Sequence, residues 1–157
     1  MKESSDPLDR IDLKILRLLQ RTGRLGNAEL AKAVNVSAAT AHRRVQRLFE
    51  TGHLQGVRGL VAPKRVGLGT LVIVGVVLDR STPDSFAAFE AAVKKLKVVI
   101  DCHLVAGDFD YFLKLRVGDM DDFNKLHGTE LLALPGVRQT RTFFVLKEVI
   151  DAAPLVF

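Results

Sequence analysis

The feature that most restricts the fold of this 157-residue chain is a change of hydrophobic period partway along it. Up to residue 52, apolar residues return every three or four positions, the period of a helix; from residue 71, short β-rich runs alternate with helical stretches. A chain that is first all-helical and then mixed is expected to form two domains in sequence. The helical part predicts three helices. Leu8, Ile11, Ile15, Leu18 and Leu19 make the apolar stripe of the first, with Asp9 and Asp12 in its first turn, Arg17 and Arg21 toward its end, and Gly23 as its stop. Asn27 is the expected cap of a short second helix over 28–33, with Leu30, Ala31 and Val34 inward. Asn35 stands where a tight inter-helix turn needs a residue that tolerates positive φ. Ser37 caps a third helix that runs to about residue 51, and Gly52 ends it.

Residues 54–61, apolar at both ends around a polar, Gly-containing centre, predict a β-hairpin. Pro63, Gly67 and Gly69 mark a linker over 62–69. The remainder predicts strands at 71–78, 98–106, 111–117 and 137–146. A helix lies behind Pro83 with Phe86, Phe89, Ala92, Val93 and Leu96 on its apolar face. A second is capped by Asp119 and runs through Leu132, with Met120, Phe123, Leu126 and Leu131 as its apolar positions. The order is β-α-β-β-α-β, the ferredoxin-like pattern. The expected fold is therefore α+β, with a winged helix-turn-helix domain over 1–61, a linker over 62–69 and a ferredoxin-like domain over 70–157. Both domains are small, so burial of a sheet face by self-association is expected.

Composition narrows the function. One cysteine, Cys102, excludes an internal disulfide framework and a cysteine-rich zinc site. The longest strongly apolar run, 71–78, is too short to cross a bilayer, and the charged first ten residues lack the apolar core of a secretory signal. A cytoplasmic, non-membrane protein is the expectation. The net charge of +5 is unevenly divided: residues 1–69 carry 13 basic and 6 acidic side chains, net +7, while 70–157 carry 10 and 12, net −2. A basic first domain beside a mildly acidic second suggests that the first meets a polyanion.

On a helical wheel, Thr40, Arg43, Arg44 and Arg47 share one sector of the third helix, with Ala41, Val45 and Leu48 on the adjacent inward face. Guanidinium groups suit bidentate contacts with phosphates and guanine edges. Ser37, Ala38 and Ala39 lie at the helix start, where small side chains permit close approach to bases; His42 is a further DNA or solvent contact, and Arg58 in the expected wing reaches a phosphate. Double-stranded DNA is the expected partner, read by two such helices in successive major grooves of a twofold dimer.

These segments resemble the Lrp/AsnC family of transcription regulators over nearly the whole length. Leu8-Asp9-Arg10-Ile11-Asp12, Glu29-Leu30-Ala31, Val36-Ser37 and Arg44-Val45-Gln46-Arg47-Leu48 are similar to its helix-turn-helix, and Gly52-His53-Leu54-Gln55-Gly56 to the entry of its wing. The stretch 103–114, with Leu134-Pro135-Gly136-Val137 and Thr140-Arg141-Thr142, resembles its amino-acid-sensing domain. Asn35 departs from the glycine usual in that turn. The resemblance implies promoter binding, homodimers paired through sensing-domain sheets, further assembly to octamers, and modulation by a small amino acid bound between sensing domains. It implies no cofactor beyond such an effector, expected to be leucine or another mostly apolar amino acid.

The effector region is expected around Gly107-Asp108-Phe109-Asp110 and Tyr111. Turn N–H groups suit a carboxylate there, Asp108 or Asp110 an ammonium group, and Thr140 and Thr142 add hydroxyls; Leu104, Met120, Leu134 and Phe144 supply apolar surface. The same four turn residues also fit an ordinary hairpin turn. A second reading keeps the sensing domain but has the first domain bind a protein rather than DNA. Cys102 and His103 alternate across a strand and make a poor metal pair, His127 has no obvious partner, and Asp121-Asp122 fit helix-dipole compensation. No nucleophile-base spacing, zinc-protease or phosphate-loop motif is present, so neither a metal site nor an enzyme is expected.

Overall fold

Asp9 opens the first helix, α1 (Arg10–Arg21), through a capping box. Its carboxylate accepts from the N–H groups of Ile11 and Asp12 at 2.8 and 2.9 Å, and its own N–H donates to Asp12 at 3.1 Å. The computed structural model describes residues 7–157 and divides into two units. One unit comprises the described residues up to Leu60 together with Ile150–Phe157; the other is Val61–Val149. Residues 1–6, which begin the expected first domain and its charged leading stretch, lie outside the described residues.

In the first unit α2 (Asn27–Val34) starts from Gly26, one residue earlier than expected, because Glu29 reaches back to the Gly26 N–H at 3.2 Å and closes the end. Asn35 adopts the left-handed conformation, φ 57°, and turns the chain into α3 (Ala38–Glu50). Ser37 caps α3 by accepting from the Thr40 N–H at 3.1 Å, a contact worth about 1 kcal/mol. Ile15, Leu16, Leu30, Val34 and Leu48 form the buried core of the three helices.

α1 ends at Arg21, just before Gly23 as expected, although Gly23 is not in the left-handed conformation; the Val57 side chain packs so closely on it that a Cβ would meet it at 2.7 Å. One expectation fails here. Residues 54–61 form no strand, so the expected hairpin is an irregular segment. It is held by the Leu54 N–H to the Leu48 carbonyl (2.9 Å) and by Val57, while Gly56 and Gly59 stand in open space. Paired strands need a packed face, and Val57 and Leu60 are exposed.

The second unit begins with a short 3₁₀ turn, Pro63–Val66, within the expected linker. It then builds a four-stranded antiparallel sheet in the order β2-β3-β1-β4 from β1 (Thr70–Leu78), β2 (Val99–Leu104), β3 (Tyr111–Val117) and β4 (Val137–Phe144). Two helices, α4 (Pro83–Val93) and α5 (Met120–Leu126), connect them in the expected βαββαβ order. α5 ends earlier than the pattern predicts and continues as a π-helical turn, His127–Leu131. Alternate residues of β1 and β3 (Val72, Val74, Val76, Leu78; Tyr111, Leu113, Leu115, Val117) are buried with Phe89, Val93, Phe123, Leu126, Leu131 and Leu134. The opposite face carries Ile73, Phe112 and the exposed Phe143, with Phe109 laid so closely over Gly75 that a Cβ there would meet its ring at 2.7 Å.

The last eight residues do not stay with the sheet, as a domain over 70–157 would require. They lie on α1. Arg17 donates to the Phe157 carbonyl oxygen through Nε at 2.7 Å and again through Nη2, and Gln20 grips the Leu155 backbone. No helix among the described residues is long and apolar enough to cross a membrane, and no cluster of potential metal ligands occurs among them.

Candidate nucleic-acid interface and effector region

The third helix presents two kinds of arginine, where the wheel predicted one. Arg43 is exposed, as are Ser37, Ala38, Ala39 and His42. Arg44 and Arg47 instead turn toward α1. Arg44 Nη1 donates to Asp9 Oδ2 at 2.7 Å and Asp12 Oδ1 at 2.9 Å, and Arg47 Nη2 to Asp12 Oδ2 at 2.5 Å. Their side chains are 21% and 34% exposed and that of Asp12 is fully buried. A wheel separates polar from apolar faces but does not tell a solvent-facing guanidinium from one that meets a carboxylate on a neighbouring helix. The network also explains the capping box, since Asp12 anchors both the α1 start and the two arginines. The backbone N–H of Asp12 holds the Asp9 carboxyl below its ordinary value, with the Arg44 guanidinium adding to that effect. Hydrogen bonds to Asp9 and then Asp12 raise the Arg44 guanidinium further.

Thr40 is half-buried, its Oγ1 accepting from Ser37 Oγ at 2.9 Å. His42 Nδ1 lies 3.2 Å from Asn27 Nδ2, a link between the start of α2 and the outer face of α3 that the sequence did not suggest. Arg58 is exposed on the irregular 54–61 segment.

The expected effector residues do not converge on one cavity of this chain. Gly107 has φ 147°, and Asp108 beside it is exposed. Asp110 is engaged with its own fold: Oδ2 accepts from the Leu78 N–H at 2.7 Å and Oδ1 from Ser81 Oγ at 3.2 Å, tying the end of β1 to the β2–β3 turn. Phe109 packs on the sheet face away from the helices, 5.2 Å from Phe112 between centroids, with the Arg141 guanidinium 5.7 Å from its ring. Tyr111 is on the helix side, buried against Phe89 and donating to Glu90 at 2.9 Å. Burial, then the Glu90 hydrogen bond, pushes its phenol far above the ordinary range. Leu104, with Glu90, Val93, Lys94, Cys102 and Tyr111, lines a cleft of about 240 Å³, where burial raises the Cys102 thiol.

Thr140, Thr142 and Phe144 pair with Val76, Val74 and Val72 on the helix side near α5, and Phe144 meets Phe123 edge-on at 5.2 Å. Leu134 is buried in the core and Met120 is half-exposed at the start of α5. His127 does have a partner, contrary to expectation: its Nε2 lies 3.0 Å from Thr140 Oγ1. Local patterning had no signal for the contacts of Ser81, Glu90 and Asn27, whose partners lie 15 to 29 positions away.

Residues 8–48 match the AsnC-type helix-turn-helix domain and 71–155 the Lrp/AsnC ligand binding domain. The leucine-responsive regulatory protein of Salmonella typhimurium is 47% identical over 155 residues, 99% of this chain and 94% of that protein. Its Haemophilus influenzae counterpart is 47% identical over 148 residues, 94% of this chain and 89% of that one. Among solved structures, a transcriptional regulator of Neisseria meningitidis in complex with L-methionine superposes with a TM-score of 0.89 at 34% identity, covering 96% of this chain and 97% of that one. AsnC of Escherichia coli superposes with a TM-score of 0.83 at 26% identity, covering 92% and 96%. With a helix-turn-helix reader and an amino-acid-binding domain matched in order along nearly the whole chain, this protein belongs to the Lrp/AsnC family of transcriptional regulators.

Proposed function

We propose that the protein binds promoter DNA sequence-specifically in the cytoplasm, and that a small, mostly apolar amino acid such as leucine or methionine modulates this binding or the assembly of the chains. The observation that carries the reading is the exposed edge of α3, where Ser37, Ala38, Ala39, His42 and Arg43 face outward while Arg44 and Arg47 hold the helix against α1. The base and phosphate contacts are assigned to those outward residues and Arg58, with Thr40 at the rim; Arg44 and Arg47 position the helix. A leucine-responsive relative and a neighbour solved with L-methionine support an amino-acid effector. The scattering of Leu104, Gly107–Tyr111, Met120, Leu134, Thr140, Thr142 and Phe144 within one chain supports a pocket completed by a second copy. Homodimers formed through the apolar face of Ile73, Phe109, Phe112 and Phe143, and higher assembly up to octamers, fit that requirement.

Calorimetry against the standard amino acids, with mobility shifts on a promoter-derived duplex in competitor DNA, tests the proposal. The expected result is heat with an aliphatic or thioether amino acid and specific binding that this amino acid alters. Absence of specific binding at physiological salt overturns the DNA reading, and absence of heat with every amino acid overturns the effector.

A further inference from the structure

The C-terminal segment is recognised by α1 through its backbone and through one aromatic ring. Gln20 makes a two-way clasp, accepting the Leu155 N–H on Oε1 at 2.7 Å and donating from Nε2 to the Leu155 carbonyl at 3.3 Å. One helical turn away, Arg17 donates to the Phe157 carbonyl at 2.7 Å, and its guanidinium lies 5.4 Å from the Phe157 ring centroid. Arg17, Gln20 and Arg21 line a small cleft together with residues 154–157. Leu155 and Val156 remain largely exposed, so burial of their side chains is not what holds the segment. Carbonyls of alternate residues are gripped, the spacing of an extended strand read by a helix face.

The position of this clasp gives it a use. The clasped segment follows the sensing unit in the chain, yet it belongs to the unit of the reader. α1 carries the clasp toward one end and Asp9 and Asp12, which grip Arg44 and Arg47 of the recognition helix, at the other. We propose that the Arg17–Gln20 face of α1 is the receiving surface for residues 154–157 of the same chain, and that this contact carries the state of the sensing unit to the reader. The proposal rests on the effector reading above and adds its route. A rigid helix held at both ends by hydrogen-bonded partners is an element that both sites can bias.

The test uses the full chain and two variants, Gln20→Ala and Phe157→Ala; neither residue belongs to the DNA or effector contacts assigned above. Alanine at an exposed helix position retains α1. Hydrogen exchange should find the Leu155 amide protected in the wild type and unprotected in Gln20→Ala. Calorimetric affinity for the amino acid should be retained in both variants. The ratio of DNA affinities with and without saturating leucine or methionine, of the order of 5–150-fold for typical coupling, should fall toward one. An unprotected Leu155 amide in the wild type, or an undiminished ratio in Gln20→Ala, overturns the clasp. A wild-type chain that binds no amino acid overturns the effector reading, and with it the signal the clasp would carry, even where Leu155 is protected.

Discussion

Replacing Asp12 by alanine tests whether two arginines of the recognition helix are structural. The Asp12 carboxylate is fully buried and accepts from Arg44, Arg47 and the Asp9 N–H. Breaking a buried ion pair by removing one partner costs about 3–5 kcal/mol, because a desolvated charge is left behind. Two features reduce that figure. Arg47 is a third exposed and can hydrate, and Arg44 keeps Asp9 at 2.7 Å. The expected ion-pair loss is therefore about 2–3 kcal/mol, and losing one arm of the capping box adds about 0.5–1 kcal/mol. At about 4–8 °C per kcal/mol for a unit of this size, the combined loss of about 2.5–4 kcal/mol in Asp12→Ala should lower the melting of the helical unit by roughly 10–32 °C. Differential scanning calorimetry resolves this unit from the sheet unit, which should melt unchanged. A double-mutant cycle with Arg47→Ala should return a coupling above about 1 kcal/mol. If Asp12→Ala melts within a few degrees of wild type, or the cycle shows no coupling, the arginines are not held as described and their assignment as positioning residues is wrong.

Other outcomes follow from the same structure. Arg43→Ala should weaken DNA binding and reduce the slope of log affinity against log salt by about 0.9 per lost phosphate contact, measured by fluorescence anisotropy at several salt concentrations. Arg44→Ala should show its main effect in thermal melting. Tyr111 ionises far more reluctantly folded than unfolded, so stability should be constant below pH 10, the ordinary phenol value, and fall as pH rises above it. Because Tyr111 is the single tyrosine, phenolate absorbance reports the transition directly, and Tyr111→Phe should remove that alkaline loss in denaturant titrations followed by circular dichroism. Gly75→Ala should displace the Phe109 ring and destabilise the sheet unit by about 1 kcal/mol, overpacking outweighing the entropic gain of alanine, as read from urea midpoints.

What could be read from the sequence was local. Ser37 as a cap, Asn35 as a left-handed turn and the βαββαβ order all depend on residues within a few positions of one another, and the structure has each of them. Contacts between distant segments were not legible. Arg44 and Arg47 find their carboxylates 32 to 35 positions upstream, and the last residues find α1 across 135 to 140 positions. The hairpin over 54–61 was misread because apolar residues on either side of a Gly-containing polar centre form one only where the two arms can pair and pack. At the effector region the residue types were suggestive but their directions were hidden. One strand sends Tyr111 to the helices and Phe112 to the opposite face, and Asp110 is occupied by Leu78 and Ser81.

The pairing of Asp9 and Asp12 with Arg44 and Arg47 changes how firmly such a protein should adhere to DNA in general. Two of the positive charges on the recognition helix are neutralised before any duplex arrives, so fewer cations remain to release counterions from arbitrary sequence. A genome offers a vast excess of wrong sites, and every unneeded phosphate contact holds the protein there. On the DNA reading proposed above, turning two arginines inward would lower that background attraction and leave the small side chains at the start of α3 a larger share of the choice among sites.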